Sequence, residues 1–182
     1  MHEVSHRFVQ TNGIRMHLAE VGTGPLVVLC HGFPESWYSW RHQLQALAEA
    51  GFHAVAPDMR GYGQTDRPTA TDKYTLLHLT GDMVGLNWYR NHDLSWEMLA
   101  PFAGARVTVP ALYIAGDRDL VVHFRGMDQL IANLRHFVPQ LHSTIILPGC
   151  GHWTQQERVS EVNQAMIEFL RQLSEPSANT LD

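Results

Sequence analysis

Apolar residues along this chain follow two alternating periods. After Asn12-Gly13, a dipeptide suited to a type I′ turn, Ile14, Met16 and Leu18 recur at every second position and predict a strand of a hairpin. Residues 26–30, Leu-Val-Val-Leu-Cys, are a continuous apolar run of the length of one buried strand. Trp40, Leu44, Leu47 and Ala48 follow at helical spacing, with Gly51 placed to stop the helix. Further buried strands are predicted at residues 53–56, 111–115 and 144–147. Leu76, Leu79, Met83 and Leu86 predict a helix over 74–86, and Met127, Leu130, Ile131 and Leu134 predict another. Val159, Val162, Met166, Phe169 and Leu173 mark the last helix, with Thr154 and Glu157 spaced as a capping box.

Buried strands alternating with amphipathic helices imply an α/β fold. Its sheet is expected to be mainly parallel, with an antiparallel hairpin at the N-terminus and helices on both faces. One domain is expected over residues 1–173, with a polar tail at 174–182 that frays. The length of 182 residues and an apolar share of 45% agree with a single soluble domain. No apolar run reaches the ~20 residues of a membrane span, and the first residues lack a signal-peptide core. A net charge of −5 gives no electrostatic pull toward nucleic acid or anionic lipid. Two cysteines, Cys30 and Cys150, make no disulfide framework, and a reducing cytoplasm is the expected compartment.

In such sheets ligands bind beyond the carboxyl ends of the strands. His31-Gly-Phe-Pro34, Asp58 to Gly63, Gly116-Asp-Arg-Asp119 and Gly149-Cys-Gly-His152 each follow a predicted strand. Asp119 and His152 lie at the ends of consecutive strands. A carboxylate beside an imidazole fixes its tautomer and stabilises its cation, so that the ring can take a proton from water or a nucleophile. The plainer alternative is that Asp119 caps the next helix and His152 is an ordinary loop histidine. The HGFP turn has backbone N–H groups suited to half of an oxyanion hole. It is equally compatible with a purely structural turn.

Taken together, the segments are more specific. HGFPESWYSWR at 31–41, PDMRGYGQTDRP at 57–68, NWYRN at 87–91, GDRDLVV at 116–122 and GCGHWTQ at 149–155 resemble, in order, the motifs of soluble epoxide hydrolases of the α/β-hydrolase superfamily. The resemblance implies an epoxide or ester as substrate, hydrolysed without a cofactor. In that family an aspartate on the nucleophile elbow forms an alkyl-enzyme ester, and a His–Asp pair then activates water to hydrolyse it. Carried over by motif, His152 is the base and Asp119 its partner, in preference to Asp117. Phe33 lends an oxyanion-hole N–H and forms a cis peptide with Pro34. Tyr89 is an epoxide-polarising tyrosine, and Trp37, with His31 and Pro34, belongs to the substrate site. As aromatics, Tyr89 and Trp37 also suit a plain core.

The chain departs from the family in one place. Neither G-x-D-x-G nor G-x-S-x-G occurs. Residues 82–86 run straight into Asn87-Trp-Tyr, where the family has a strand, the elbow, its helix and most of a cap. An internal deletion is expected, with its junction near residues 85–87, and with it a shortened sheet whose open strand edges favour self-association. Glu35, Asp58, Cys30 and Cys150 are the conceivable replacement nucleophiles. The histidines are scattered, and no metal site or phosphate-binding loop is expected.

Overall fold

The computed structural model describes residues 2–75, 78 and 104–174. The expected helix over 74–86, the junction near 85–87, Tyr89 and the tail beyond Ser174 lie outside these, apart from Tyr74, Thr75 and His78. The chain divides into two compact units, Met1–Ala103 and Gly104–Asp182.

In the first unit, β1 (Ser5–Thr11) and β2 (Ile14–Val21) form the expected hairpin. Asn12 and Gly13 take φ of 43° and 76°, the two left-handed positions of a type I′ turn. β3 (Leu26–Val28) and β4 (His53–Pro57) complete a sheet of order β1-β2-β4-β3. β2 pairs antiparallel with both β1 and β4, and β3 pairs parallel with β4. Ile14, Met16 and Leu18 point to one face and form a core cluster with Val55. The opposite face of β2 is buried as well, at His17, Ala19 and Val21. Most of β2 is therefore buried on both faces, with Arg15 exposed, and its alternation understates its burial.

The run at 26–30 differs from the expected buried strand. Leu26 is 63% exposed and Val28 45%, and only Leu29 is deeply buried. Among the described residues β3 is the sheet's edge, with a partner on one side alone. Helix α1 (Arg41–Glu49) buries Gln43, Leu44 and Leu47. It ends as Gly51 predicted: Gly51 N–H donates to the Ala48 carbonyl and Phe52 N–H to the Leu47 carbonyl, with buried Phe52 and Leu47 closing the contact. Tyr74 closes a short 3₁₀ turn, Thr71–Tyr74.

In the second unit, β5 (Ala111–Gly116) and β6 (Leu141–Leu147) form a parallel two-stranded ladder. The helix expected over 127–134 is two short pieces, α2 (Met127–Ala132) and α3 (Leu134–Phe137), broken at Asn133. Neither piece has a buried residue, so no packed face imposes continuity. After α4 (Thr154–Glu157), Arg158 leaves helical geometry at φ −132° and ψ 57°, and α5 (Val159–Ser174) follows. Val162 of α5 packs with Leu147 and Cys150, and Met166 joins them with Ile114 and Ile145. The capping box is rearranged: Trp153 is the N-cap, Thr154 makes no cap, and Glu157 alone reaches back to the preceding amides.

Candidate functional site

The expected residues of the second unit meet at the carboxyl ends of β5 and β6. β5 ends at Gly116, against which the loop at 148–153 lies so closely that a Cβ there would strike the Cys150 and Gly151 carbonyl oxygens. Asp117 and Asp119 then diverge. Asp117 Oδ1 accepts from Gly149 N–H at 2.6 Å, and Arg118 N–H donates to the Cys150 carbonyl at 2.9 Å. Asp119 Oδ2 lies 2.9 Å from His152 Nδ1, and its Oδ1 accepts from Val121 N–H at 2.9 Å as the N-cap of a 3₁₀ turn, Leu120–His123. Capping and orienting are thus done by one carboxylate, with one oxygen each.

The bond to a carboxylate puts the imidazole proton on Nδ1 and leaves a lone pair on Nε2. The His152 side chain is 52% exposed and that of Asp119 11%. The imidazole is open to water, while its partner is shielded enough to hold a fixed geometry. Trp153 packs edge-on against the ring, with centroids 5.5 Å apart. Glu157 accepts from Gly151 N–H at 2.7 Å and from Trp153 N–H at 3.2 Å, spanning His152 on both sides. Cys150 is fully buried in the core of this unit, and that burial pushes its thiol pKa up. It is therefore a packing residue and not a nucleophile.

In the first unit, Phe33 and Pro34 form a cis peptide. Phe33 is 44% exposed and Pro34 is exposed as well. His31 is buried, with Nδ1–H donating to the Gly32 carbonyl at 2.8 Å and Nε2 accepting from Met59 N–H at 3.0 Å. Both ring nitrogens hold backbone, and burial pushes its pKa down. Glu35 accepts from Gly32 N–H at 3.2 Å. Half-buried Trp37 packs edge-on against His6 and Tyr38.

Asp58 is 1% exposed. Its Oδ1 accepts from Trp37 N–H, and its Oδ2 accepts from Gln64 N–H and lies 2.8 Å from Nδ1 of fully buried His17. His17 Nε2 in turn lies 3.0 Å from His6 Nδ1. The sequence carries no signal for this second His–Asp pair, because His17 falls out of phase with Ile14, Met16 and Leu18 on β2. Asp58 is held too deeply to attack a substrate. Residues 2–6 also spell H-E-x-x-H, a spacing that holds zinc when it lies on a helix. Here Ser5 and His6 belong to β1, and among the described residues no group of three or more His, Cys, Asp or Glu side chains is arranged to hold a metal ion.

A family model described as the alpha/beta hydrolase fold matches residues 25–92. The crystal structure of an epoxide hydrolase from Vigna radiata superposes with a TM-score of 0.90 at 26% identity, covering 93% of this chain and 98% of that one. This chain has the α/β-hydrolase fold. Epoxide hydrolase 3 of Siraitia grosvenorii is 27% identical over 313 aligned positions, which cover 93% of this chain and 99% of the relative. The bifunctional epoxide hydrolase 2 of Mus musculus is 50% identical, covering 98% of this chain and 58% of that protein. An alignment of 313 positions is longer than a chain of 182 residues, so parts of the Siraitia protein have no counterpart here, in keeping with internal shortening. Among the described residues no helix is long and apolar enough to cross a membrane.

Proposed function

We propose that this α/β hydrolase keeps the water-activating half of an epoxide hydrolase site and lacks the nucleophile. The observation that carries the proposal is the 2.9 Å contact between His152 Nδ1 and Asp119 Oδ2 on a half-exposed imidazole. His152 Nε2 takes a proton from water as the water oxygen bonds to the electrophilic carbon of an activated ester or epoxide. The C–O bond breaks, the imidazolium is steadied by Asp119, and the proton passes to the leaving oxygen. With no aspartate on an elbow, no alkyl-enzyme ester forms, and direct water attack is slow. Phe33 is the residue of the HGFP turn assigned to the oxyanion, and Tyr89, with Trp37, Pro34 and His31, is assigned to the epoxide. His31 does so by holding the turn, since both its nitrogens are engaged by backbone. A reducing cytoplasm suits the two cysteine thiols.

The test is hydrolysis of a reactive aryl epoxide and of a nitrophenyl ester by the purified chain, with mass spectrometry of the protein during turnover. The expected result is slow hydrolysis lost in His152→Ala, with no covalent adduct. A burst with an alkylated carboxylate would overturn the assignment and identify a replacement nucleophile.

A second function is favoured by the exposed apolar edge at Leu26 and Val28 of β3. It is self-association through strand edges, in place of catalysis. Light scattering across a concentration series tests it, and a monomer at every concentration excludes it.

A further inference from the structure

The backbone of the loop that carries His152 is held by hydrogen bonds on both sides of the histidine. Arg158 donates to the Pro148 carbonyl, Gly149 N–H donates to Asp117, and Arg118 N–H donates to the Cys150 carbonyl. Gly151 N–H and Trp153 N–H, the amides on either side of His152, both donate to the Glu157 carboxylate, at 2.7 and 3.2 Å. Glu157 sits at the end of α4, one helical turn beyond these amides, and each of its oxygens takes one of them. The residue between two anchored amides has little backbone freedom, and its side chain inherits that restriction. A base orients well only when the groups behind it are fixed.

The close fit also depends on Gly151. A Cβ added there would lie 2.8 Å from one Glu157 oxygen and 3.1 Å from the other, so the carboxylate occupies the place a side chain would fill. Gly151 does not take a left-handed φ, so alanine suits its backbone, and the side chain of Glu157 would have to move.

We propose that Glu157 is a positioning residue for His152: by holding the amides of Gly151 and Trp153 it keeps the imidazole in register with Asp119. This rests on the assignment of His152 as the base. It is distinct from a mere helix cap, which would stabilise α4 without affecting the His152–Asp119 bond.

The readout is the His152 Nδ1–H proton resonance at low field, together with the pH titration of the His152 ring by NMR. Both are followed in the intact chain and in Glu157→Ala, Glu157→Gln and Gly151→Ala, each checked by a circular-dichroism melt. The low-field resonance is expected to be sharp in the parent, and to exchange away in Glu157→Ala and Gly151→Ala with a displaced ring titration. Glu157→Gln, which keeps one acceptor and turns an NH₂ toward the other amide, is expected to be intermediate. Any ester hydrolysis should fall about tenfold in the two alanine variants, at unchanged KM. Gly151→Ala keeps the Glu157 carboxylate and serves as the test if Glu157→Ala fails to fold. An unchanged resonance and titration in a folded alanine variant would overturn the proposal. A parent with the expected resonance and variant effects but no hydrolysis would sink the hydrolase assignment and leave the positioning role standing.

Discussion

Two His–Asp pairs with nearly the same bond length occupy opposite surroundings. His17 and Asp58 meet at 2.8 Å with side chains 0% and 1% exposed, whereas His152 and Asp119 meet at 2.9 Å with 52% and 11% exposed. The buried pair has its donors and acceptors spent inside the fold: Asp58 also accepts from the amides of Trp37 and Gln64, and His17 N–H donates to Thr65. The other pair spends only Asp119 in this way and leaves the imidazole at the surface. A hydrogen-bonded His–Asp contact is thus not in itself a catalytic signature. The accessibility of the imidazole is what distinguishes the two pairs.

The contrast breaks most visibly if Asp58 is removed. Asp58→Ala strands a buried imidazole and two amides, so a loss of about 3–5 kcal/mol is expected in urea denaturation. Asp119→Ala, which removes the partner of a half-exposed imidazole and the cap of a 3₁₀ turn, should cost less, about 1–2 kcal/mol. Comparable losses at the two sites would erase the distinction. Function should invert that order. His152→Ala is expected to bring ester hydrolysis down to the buffer rate while the melt stays close to the parent's.

His31 sharpens the comparison through pH. Its Nε2 accepts from Met59 N–H, and burial lowers its pKa, so the folded state binds that proton less readily than the unfolded chain. Its stability contribution is therefore complete above the ordinary imidazole value of about 6.5 and is lost as pH falls through the lowered folded value. Part of the drop in melting temperature between neutral and mildly acidic pH should disappear in His31→Gln. The smallest effect is expected at a third contact, between His53 Nε2 and Glu20 Oε2 at 3.1 Å on the sheet surface. There the Arg7 hydrogen bond, chiefly, holds the Glu20 carboxyl below its usual range, and Glu20→Gln should cost at most about 1 kcal/mol, less at high salt.

Much of the site was legible because it follows from local rules. A buried run, then a turn, then a polar residue at the strand end led to His31, Asp58, Asp119 and His152 without any knowledge of packing. The hairpin was legible because Asn12-Gly13 names its own turn type. Three features were not. The run at 26–30 read as buried, yet β3 is an edge among the described residues, and edge position depends on strand order. Helix 127–134 read as continuous, yet with no face packed nothing keeps it so past Asn133. Glu157 read as half of a capping box, yet its oxygens serve the amides around His152.

Read by itself, the sequence carries the resemblance to epoxide hydrolases, the strand-end positions of the chemical groups, and the absence of an elbow motif, since each is written in neighbouring residues. Which carboxylate meets which histidine was settled by the folded chain. Asp58 finds His17 because β2 and β4 are adjacent, with Leu18 opposite Pro57, and Asp119 finds His152 because β5 and β6 pair in parallel and end together. These partners are 41 and 33 residues apart. Strand order and register bring them together, and exposure to water then makes one pair a support and leaves the other able to exchange protons.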